Sequence, residues 1–449
     1  MRVLLVKPPF NPYVFIARFA LCEPYELGVL AAALEGEVEV VVVDMRLETR
    51  SFEDILATEN PDILGFTALT MDTNTVLRLA NEARRLRPDL TICIGGEHAT
   101  FVPHDFDVPA VDFVFKGNAV EAFSSVVIMV RSNGSREKLG KPGSYSTIVH
   151  GSDVKKELSI QPNRNSYTQY QKDYIFGAAK PISLWQSSSG CPYRCTFCSI
   201  KDRHPKFQTV EINTALENLA KCPTEAVLSI DAHALASPRS AHALFTAIAT
   251  AGLKKRIMIS TRADSVVRHE KLLPVLWDAG VRVVALGLES FENIALNSYN
   301  KNIDANVNSS AVRLLKQHGF TIRGNFIIDQ SFDVDDFTRL VDTIQNLGIH
   351  FPTFQILTPL PGTALFEENK HRFEICDYDF FDLSHSVMPT KLPFIEFHEQ
   401  FRDLFSRVYD YSSVYRMVNT MTIKEVIRGM VLSIQSRSEM SYEKHPGYH

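Results

Sequence analysis

Short apolar strands alternate with helical segments along most of this sequence, and that alternation restricts the fold to parallel α/β architectures. With 449 residues, the chain is too long for one ordinary core, so we expect more than one domain. The first series occupies residues 1–140, and its predicted strands are Val3–Val6, Val38–Val43, Ile63–Thr67, Thr91–Ile94 and Val111–Phe115. It predicts a doubly wound, Rossmann-like parallel sheet whose ligand lies beyond the carboxyl ends of the strands.

A second series occupies residues 181–375, and its predicted strands are Ser183–Gln186, Ala226–Ile230, Arg256–Ser260, Val281–Leu286, Thr321–Ile328 and Phe354–Leu357. These strand–helix units predict a partial (β/α)6 barrel of the TIM type, with its reactive loops after the strands. We expect a linker at residues 141–180, because Gly, Ser, Asn, Lys and Pro are frequent there. Residues 376–449 are expected to form a small helical C-terminal region, with amphipathic helices at Phe394–Tyr411 and Ile423–Ile434.

The composition is that of a globular protein with no electrostatic signature for nucleic acid. The formal net charge is −5, and no dense Lys/Arg stripe is present. The apolar run at the N-terminus is too short for a signal peptide, and we expect no transmembrane segment. Four cysteines are scattered along the chain, which is typical of free thiols in a reducing compartment: Cys22, Cys93, Cys222 and Cys376. We therefore expect a cytoplasmic protein.

The other three cysteines, Cys191, Cys195 and Cys198, lie together in the run Gly-Cys-Pro-Tyr-Arg-Cys-Thr-Phe-Cys. Thiolates are soft ligands that suit Fe–S clusters and zinc. Three of them on one loop can hold three corners of a cubane and leave the fourth iron open. A structural zinc site needs a fourth protein ligand, which the nearby His204 could supply. The aromatic Phe197 favours the cluster.

The spacing of these cysteines, together with Phe197, resembles the signature of the radical S-adenosylmethionine (SAM) enzymes. The resemblance implies a [4Fe-4S] cluster whose open iron is chelated by the amino and carboxylate groups of SAM. It also implies that one electron cleaves SAM to give a 5′-deoxyadenosyl radical. A reductant such as flavodoxin or ferredoxin is then an expected partner.

Residues at the ends of later strands resemble further elements of that family. The resemblance implies that Arg262 meets the SAM carboxylate, and that Gly287, Glu289 and Ser290 approach its ribose and amino group. It also implies that Pro361 and Gly362 pack against the adenine. Asp231 stands where the family often has an acidic pair. Each of three residues keeps a structural alternative: a surface ion pair for Arg262, a helix N-terminal acid for Glu289 and a helix cap for Asp231.

One strand end departs from the family pattern. The segment Asn325–Gln330 occupies a position where many relatives have a glycine-rich strand end. Asp329 and Gln330 would instead present polar groups towards a cavity. They could contact substrate, or they could form a local salt bridge or turn.

The first series resembles the cobalamin-binding domain that precedes the radical barrel in a large subfamily that includes methyltransferases. The resemblance rests on the segment Gly95-Gly96-Glu97-His98-Ala-Thr and on Gly117 with Glu121. It implies that these residues, with Thr67, Leu69 and Thr70, bind cobalamin. The histidine motif Asp-x-His-x-x-Gly is absent, so the lower axial position of cobalt would be open, filled by water, or shielded by an apolar or hydroxyl side chain, for which Leu69, Thr70 and Met71 are candidates. We expect His98 to hydrogen-bond rather than to ligate the metal.

The resemblance as a whole implies a cobalamin-dependent radical SAM C-methyltransferase. Its substrate would be a small molecule, a lipid or a natural-product intermediate, methylated at an unactivated carbon. An alternative is a radical SAM enzyme for cyclisation, rearrangement or another C–H functionalisation, with cobalamin absent or not a methyl donor. A third is a non-catalytic Fe–S or zinc protein. No catalytic side chain is singled out by the sequence.

Overall fold

The computed structural model describes residues 1–11, 20–133, 145–151, 158–349 and 351–409. These residues form two compact units. Within the described ranges, the first unit comprises residues 1–11, 23–173 and 377–382, and the second comprises residues 20–22, 174–376 and 383–409. Each unit is built on one six-stranded sheet in which every pair of neighbouring strands is parallel.

The first sheet is doubly wound, as predicted. Its strands are β1 (Arg2–Lys7), β2 (Glu39–Asp44), β3 (Ile63–Thr67), β4 (Thr91–Gly95), β5 (Phe113–Lys116) and β6 (Thr147–His150), in the order β2-β1-β3-β4-β5-β6. Its helices are α1 (Tyr25–Ala33), α2 (Phe52–Glu59), α3 (Thr73–Leu86), α4 (Glu97–Phe101) and α5 (Val120–Asn133). Short 3-10 turns occupy Thr70–Asp72, Pro103–Phe106 and Arg164–Tyr170. The central strands are almost wholly apolar because helices cover both faces of such a sheet.

Two segments of the first unit lie outside the series that the sequence predicts for it. Strand β6 comes from the polar stretch between the two series, where four residues rich in β-branched side chains pair with β5 at the edge of the sheet. The segment Asp377–Asp382 is remote in sequence, yet it packs with the first unit. Amino-acid composition did not predict that β6 or Asp377–Asp382 belongs to the first unit, because that membership depends on which residues each segment packs against.

The second sheet follows chain order and has the strand–helix alternation of a partial barrel. Its strands are β7 (Ile182–Trp185), β8 (Ala226–Ser229), β9 (Arg256–Arg262), β10 (Val281–Glu289), β11 (Thr321–Ile328) and β12 (Phe351–Ile356), in the order β7-β8-β9-β10-β11-β12. Its helices are α6 (Ile200–Arg203), α7 (Ile212–Ala220), α8 (Pro238–Ala251), α9 (Ala263–Arg268), α10 (Leu273–Asp278), α11 (Asn293–Ser298), α12 (Ala305–Gln317), α13 (Val334–Leu347), α14 (Ala364–Asn369) and α15 (Phe394–Val408). Two-residue strands pair Ala20–Leu21 with Ile175–Phe176 and Ser188–Ser189 with Gln208–Thr209.

Local sequence signals account for the helix boundaries in this unit. Helix α13 begins with a capping box, in which Asp333 accepts from the Asp336 N–H and Asp336 accepts from the Asp333 N–H. It ends at Gly348, whose φ of +62° is the left-handed conformation that glycine adopts at low cost. Helix α15 confirms the amphipathic helix predicted from Phe394, and its apolar side joins the core of the second unit. The helix predicted at Ile423–Ile434 lies outside the described residues.

Among the residues that the structure describes, no helix has both the length and the apolar character needed to span a bilayer.

Candidate functional site

The cysteine loop follows the first strand of the second sheet and is held by backbone contacts to two later segments. The Thr196 N–H donates to the Tyr299 carbonyl at 3.2 Å, and the Leu365 N–H donates to the Thr196 carbonyl at 3.0 Å. The Asn300 side-chain amide donates to the Arg194 carbonyl at 2.6 Å. These bonds set the path of the loop before any ligand binds, so the three thiols are presented by a preorganised backbone.

The chemistry of Cys191, Cys195 and Cys198 fits an Fe–S cluster, because three thiolates on one loop can each bind a different iron. All three are partly exposed and none forms a disulfide. His204, which could supply the fourth ligand of a zinc site, accepts a hydrogen bond from Arg203 at 3.0 Å on Nε2, and its buried Nδ1 has no partner among the described residues.

Arg262 is the basic group next to the cysteine loop. Its Nη1 lies 3.7 Å from the Cys195 Sγ, and its guanidinium lies 3.7 Å from the centre of the Tyr193 ring. Nε donates to Asp264 at 2.9 Å, and Nη2 donates to the Lys301 carbonyl at 2.6 Å. Arg262 is only 7% exposed, so it forms a buried ion pair rather than the surface pair that the sequence left open. Burial raises the pKa of the Cys195 thiol, and the charges of Lys301 and Arg262 oppose that rise.

Glu289 forms a buried ion pair that leaves one of its oxygens without a partner. The Lys301 Nζ lies 2.7 Å from Glu289 Oε1, and both side chains are buried. Glu289 Oε2 is buried and has no hydrogen-bond partner among the residues that the structure describes. Such an oxygen costs free energy unless a ligand donates to it. Glu289 is the last residue of β10 and has a φ of +57°, so it is not a helix N-terminal acid.

The neighbours of Glu289 explain why this strand end contains glycine and serine. A Cβ on Gly287 would stand 3.0 Å from Glu289 Oε1 and 3.2 Å from the Lys301 Nζ, so glycine leaves room for the ion pair. The Ser290 hydroxyl accepts from the Glu292 N–H at 3.0 Å and shapes the turn before α11. Sequence analysis missed Lys301. The available signal was the turn Asn300-Lys301-Asn302, in which both asparagines have a positive φ.

Asp231 orients the backbone that leads into the cysteine loop. Its carboxylate accepts from the Ser187 N–H at 2.9 Å, from the Ser188 N–H at 2.7 Å and from the Ser187 hydroxyl. It is buried, and burial raises its pKa despite these hydrogen bonds. The helix cap that the sequence left open for Asp231 is therefore not its role. The carboxylate follows β8 and caps the turn that follows the neighbouring strand β7.

A cavity of about 570 Å³ lies beside the cysteine loop, at the ends of β11 and β12. It is lined by Thr196, Ser298, Tyr299, Asp329, Gln330, Ser331, Leu357, Leu365, Glu368, Asn369, Arg372, Met388, Pro389, Thr390 and Lys391. Next to it, Tyr299, Ile327 and Leu357 form a small apolar cluster against Phe197. The Phe197 and Tyr299 rings meet edge to face at 5.7 Å. This combination places an apolar surface next to polar groups.

The structure places the predicted turn near this cavity. Gly362 has a φ of +84° in the turn that follows Pro361, and Thr363 then caps α14. Helix α14 supplies Leu365 to the cavity wall. Asp329 and Gln330 also line it, and Asp329 accepts from the Tyr299 hydroxyl at 3.5 Å.

In the first unit, two glycines bring the β4 and β3 strand ends into close contact. Gly96 has a φ of +104°, and a Cβ there would stand 2.6 Å from both the N and the O of Ala68. The Ala68 N–H donates to the Gly95 carbonyl at 3.0 Å, and the His98 N–H donates to the Ala68 carbonyl at 3.1 Å. Only glycine allows this approach, which presents backbone rather than side chains at the carboxyl end of the sheet.

His98 is fully buried, and both of its ring nitrogens have protein partners. Nδ1 lies 3.3 Å from the Thr70 hydroxyl, and Nε2 lies 3.0 Å from the Asp105 carboxylate. Its ring meets that of Tyr378 edge to face at 4.7 Å. Tyr378 belongs to the segment Asp377–Asp382, which Asn74 also holds by donating to Asp377 at 2.7 Å. Both ring nitrogens of His98 are thus engaged by protein groups of this edge.

The remaining predicted residues of this unit lie at the same edge. Thr67 ends β3, and Leu69 and Thr70 begin the turn whose Asp72 carboxylate accepts from the Leu69 N–H at 3.1 Å. The Gly117 N–H donates to the Thr100 hydroxyl at 3.1 Å, and the Thr100 hydroxyl donates to the Gly96 carbonyl at 2.8 Å. Glu97 and Glu121 stand in the first turns of α4 and α5.

Two family models match the chain, and each covers the central strands of one sheet. The B12 binding domain matches residues 14–127, and the Radical SAM superfamily matches residues 185–344. The chain belongs to the radical SAM enzymes that carry a cobalamin-binding domain. The enzyme class and the cofactors expected from the sequence, a [4Fe-4S] cluster, SAM and cobalamin, are those of these two domain families.

Relatives and solved structures agree with this assignment. The chain is 24% identical to the hopanoid C-3 methylase of Methylococcus capsulatus over 410 residues, which cover 89% of this chain and 78% of that protein. It is 21% identical to the anaerobic magnesium-protoporphyrin IX monomethyl ester cyclase of Rubrivivax gelatinosus, over 86% of this chain and 73% of that protein. The fold resembles that of the radical SAM methyltransferase TsrM from Kitasatospora setae, with a TM-score of 0.66 and 16% identity over 99% of this chain and 98% of that chain. The cobalamin-dependent enzyme OxsB gives a TM-score of 0.69 and 15% identity, over 99% of this chain and 72% of that chain.

Proposed function

We propose that this radical SAM enzyme is a cobalamin-dependent C-methyltransferase acting on an unactivated carbon of a small molecule. The observation that carries the proposal is the presence, in one chain, of a three-cysteine loop beside a buried Arg262 and of a B12 binding domain. When bound, the cluster and SAM supply the radical that removes a substrate hydrogen, and cobalamin supplies the methyl group. TsrM, whose fold is similar, has been solved with tryptophan as its substrate, which supports a small-molecule substrate here.

The side chains of the second unit divide the work of binding the cluster and SAM. Cys191, Cys195 and Cys198 would bind the cluster. Arg262 carries a positive charge beside Cys195, which suits the carboxylate of SAM, and the unpartnered Glu289 Oε2 can accept from its amino group or ribose.

The apolar groups nearby suit the adenine ring. Phe197 and the cluster of Tyr299, Ile327 and Leu357 offer it an apolar contact surface, and Pro361 and Gly362 set the turn that leads to Leu365. By excluding water, these groups would protect a reactive radical.

The first unit would hold cobalamin mainly through its backbone. Gly96 lets the β4 end pack against the Ala68 backbone, which presents main-chain groups to a flat macrocycle at this edge, and Leu69 and Thr70 stand in the adjoining turn. Since both nitrogens of His98 are engaged, we propose that no histidine of this edge ligates cobalt. We also propose a cytoplasmic location and reduction by a flavodoxin or ferredoxin.

Product stoichiometry tests the proposal. The anaerobically purified, reconstituted enzyme should show the visible absorption bands of a corrinoid. It should form one 5′-deoxyadenosine and one S-adenosylhomocysteine for each methyl group transferred. The triple Cys→Ala variant of the loop should lose all cleavage of SAM, whereas Cys376→Ala, at an exposed cysteine outside the loop, should keep it. SAM cleavage that survives the triple substitution would disprove the cluster assignment.

A second candidate function is radical cyclisation or another C–H functionalisation. It is supported by the similarity to the magnesium-protoporphyrin cyclases, which covers nearly as much of the chain as the similarity to the methylase. The same assay separates the two functions. Deoxyadenosine without S-adenosylhomocysteine, or full activity without a bound corrinoid, would favour this second candidate.

A further inference from the structure

Arg323 is a positively charged residue on the inner face of the second sheet, which we define as the face opposite to the core that the helices cover. Strand register shows the orientation. Ala285 pairs with Arg323, and Gly287 pairs with Asn325, while on the other side of β10 Gly287 pairs with Arg262. Directly paired residues of a parallel sheet, and residues two apart on one strand, project to the same face. Arg323 therefore shares its face with Arg262.

The other face of β11 confirms this orientation. Ile322, Phe326 and Ile328 are buried in the core formed with the helices, so the alternate residues Arg323 and Asn325 point away from it. Arg323 stands two residues before the level of Arg262. This separation is about 7 Å along the strand direction. The side chain thus lies deeper in the sheet interior than the groups assigned to SAM and the cluster.

Within the described residues, the charge of Arg323 is unmatched. Its guanidinium lies 4.2 Å from the centre of the Phe176 ring and forms no ion pair or hydrogen bond with any residue in the described ranges. Burial lowers the pKa of Arg323, and the nearby Tyr409 and Cys22 oppose that shift without supplying a carboxylate. Arginine nevertheless remains protonated in proteins. A buried charge without a partner costs free energy, which a bound anion would recover.

The register partners of Arg323 differ in size. Ala285 on β10 is small, whereas Phe351 on β12 is large, so the smaller neighbour lies on the β10 side. Arg323 itself stays partly accessible, although its strand is otherwise mostly buried. One pleat further along, Asn325 accepts from the Thr353 hydroxyl at 2.7 Å and adds polar groups. The Phe176 ring lies against the planar guanidinium, and a planar guanidinium can stack on a ring while its N–H groups donate to a ligand.

We propose that Arg323 binds an oxyanion of the substrate, a carboxylate or a phosphate, on the inner face of the second sheet. This proposal rests on the proposed function. It assigns the substrate to the anionic small molecules and excludes a substrate that is purely a hydrocarbon. Arginine suits the role because its N–H fork matches both oxyanions with two parallel hydrogen bonds. The anchored group would hold the substrate by its charged end, while the reacting carbon lies towards Arg262 and the cysteine loop.

Matched neutral and anionic probes test the proposal on the full-length, anaerobically reconstituted enzyme. Benzoate and phenyl phosphate should raise the thermal midpoint of the wild type, and benzamide should not. The preferred anion identifies the oxyanion as carboxylate or phosphate. In Arg323→Gln the affinity for that anion should fall about tenfold or more, and Arg323→Lys should retain part of it. Arg313→Gln, at an exposed arginine of α12, is the control and should respond like the wild type.

The stability of the free protein separates a binding role from a structural one. If Arg323 awaits a ligand, Arg323→Gln without probe should melt at the same temperature as the wild type or higher, because a desolvated charge is removed. A lower midpoint would show that Arg323 serves packing. An equal response of Arg323→Gln and wild type to the anions, or an equal effect of benzamide, would also overturn the proposal, and so would a wild type that responds to neither anion.

An assay of SAM cleavage separates a failure of this inference from a failure of the proposed function on which it rests. Arg323→Gln should still form 5′-deoxyadenosine from SAM, since the cysteines, Arg262 and Glu289 are unchanged. Loss of anion binding with retained SAM cleavage supports the inference. A wild type that never cleaves SAM refutes the proposed function itself, whatever the probes show.

Discussion

The two units present their candidate site residues in opposite ways. At the strand ends of the first sheet, the polar side chains are paired with one another: His98 contacts Thr70 and Asp105, and Asp72 accepts from the Leu69 backbone. On the second sheet, neither Glu289 Oε2 nor Arg323 has a polar partner within the described part of the chain. The first unit therefore offers shape and backbone to a large flat ligand, whereas the second offers charge to small polar ones.

The contrast between the two units predicts its largest effect on stability for the loss of Lys301, the cation that pairs with Glu289 in the second unit. Lys301→Met leaves the buried Glu289 without its cation, and we expect the free energy of unfolding to fall by roughly 3–5 kcal/mol. Chemical denaturation of the apo-protein measures it. The double variant Lys301→Met/Glu289→Gln should recover much of the loss, because no buried charge is then left unpaired. If the double variant is as unstable as the single one, the ion pair is not the cause.

The pH dependence of stability should report His233, which lies in a fully paired part of the second unit. Its nitrogens contact Ser265 at 3.1 Å and Thr261 at 3.2 Å, and burial, with a smaller effect of Arg262, lowers its pKa from 6.5 to about 4. The unfolded chain thus binds the proton more readily. The neutral form of His233 therefore contributes about 3 kcal/mol to the free energy of unfolding. This contribution is complete above pH 6.5 and is lost as the pH falls towards 4. Denaturation from pH 7 to pH 4 should be steeper for the wild type than for His233→Gln, and equal slopes would count against this assignment.

Two glycine substitutions test whether the first unit binds through its backbone. Gly96→Ala should cost roughly 2–3 kcal/mol, because a Cβ collides with Ala68 at a positive φ. Gly117→Ala, also at a positive φ but with no atom near its Cβ, should cost roughly 1–2 kcal/mol. Gly96→Ala should also weaken corrinoid binding, measured by absorbance titration, well beyond the effect of Gly117→Ala. Identical binding in both variants would argue against a close backbone approach at Gly96.

His98→Gln should have the smallest effect. Removing two hydrogen bonds at a site that a glutamine can partly fill should cost about 1 kcal/mol of stability. The paramagnetic resonance spectrum of bound cob(II)alamin should be the same in both proteins. Loss of a nitrogen superhyperfine splitting in the variant would show that His98 ligates cobalt after all, and the contrast between the units would then disappear.

Much of the fold follows from local patterns in the sequence. The apolar strands of both series lie within a few residues of their predicted bounds, and the strands Ile63–Thr67 and Thr321–Ile328 have the predicted ends. Short buried strands and amphipathic helices carry their signal within a single element, so periodicity finds them. Strand β6 was missed because four residues at a sheet edge carry too weak a signal within a polar stretch.

The sequence by itself determined the two parallel sheets, the three thiols of the cysteine loop and the glycines at Gly95 and Gly96, because spacing and residue type are local properties. Only the tertiary structure paired Lys301 with Glu289, placed Asp231 on the turn after β7 and set Tyr378 against His98. It also left Arg323 without a partner among the described residues. Each of these relations joins residues from different elements, and which side chains meet depends on strand order and register, which no single segment encodes.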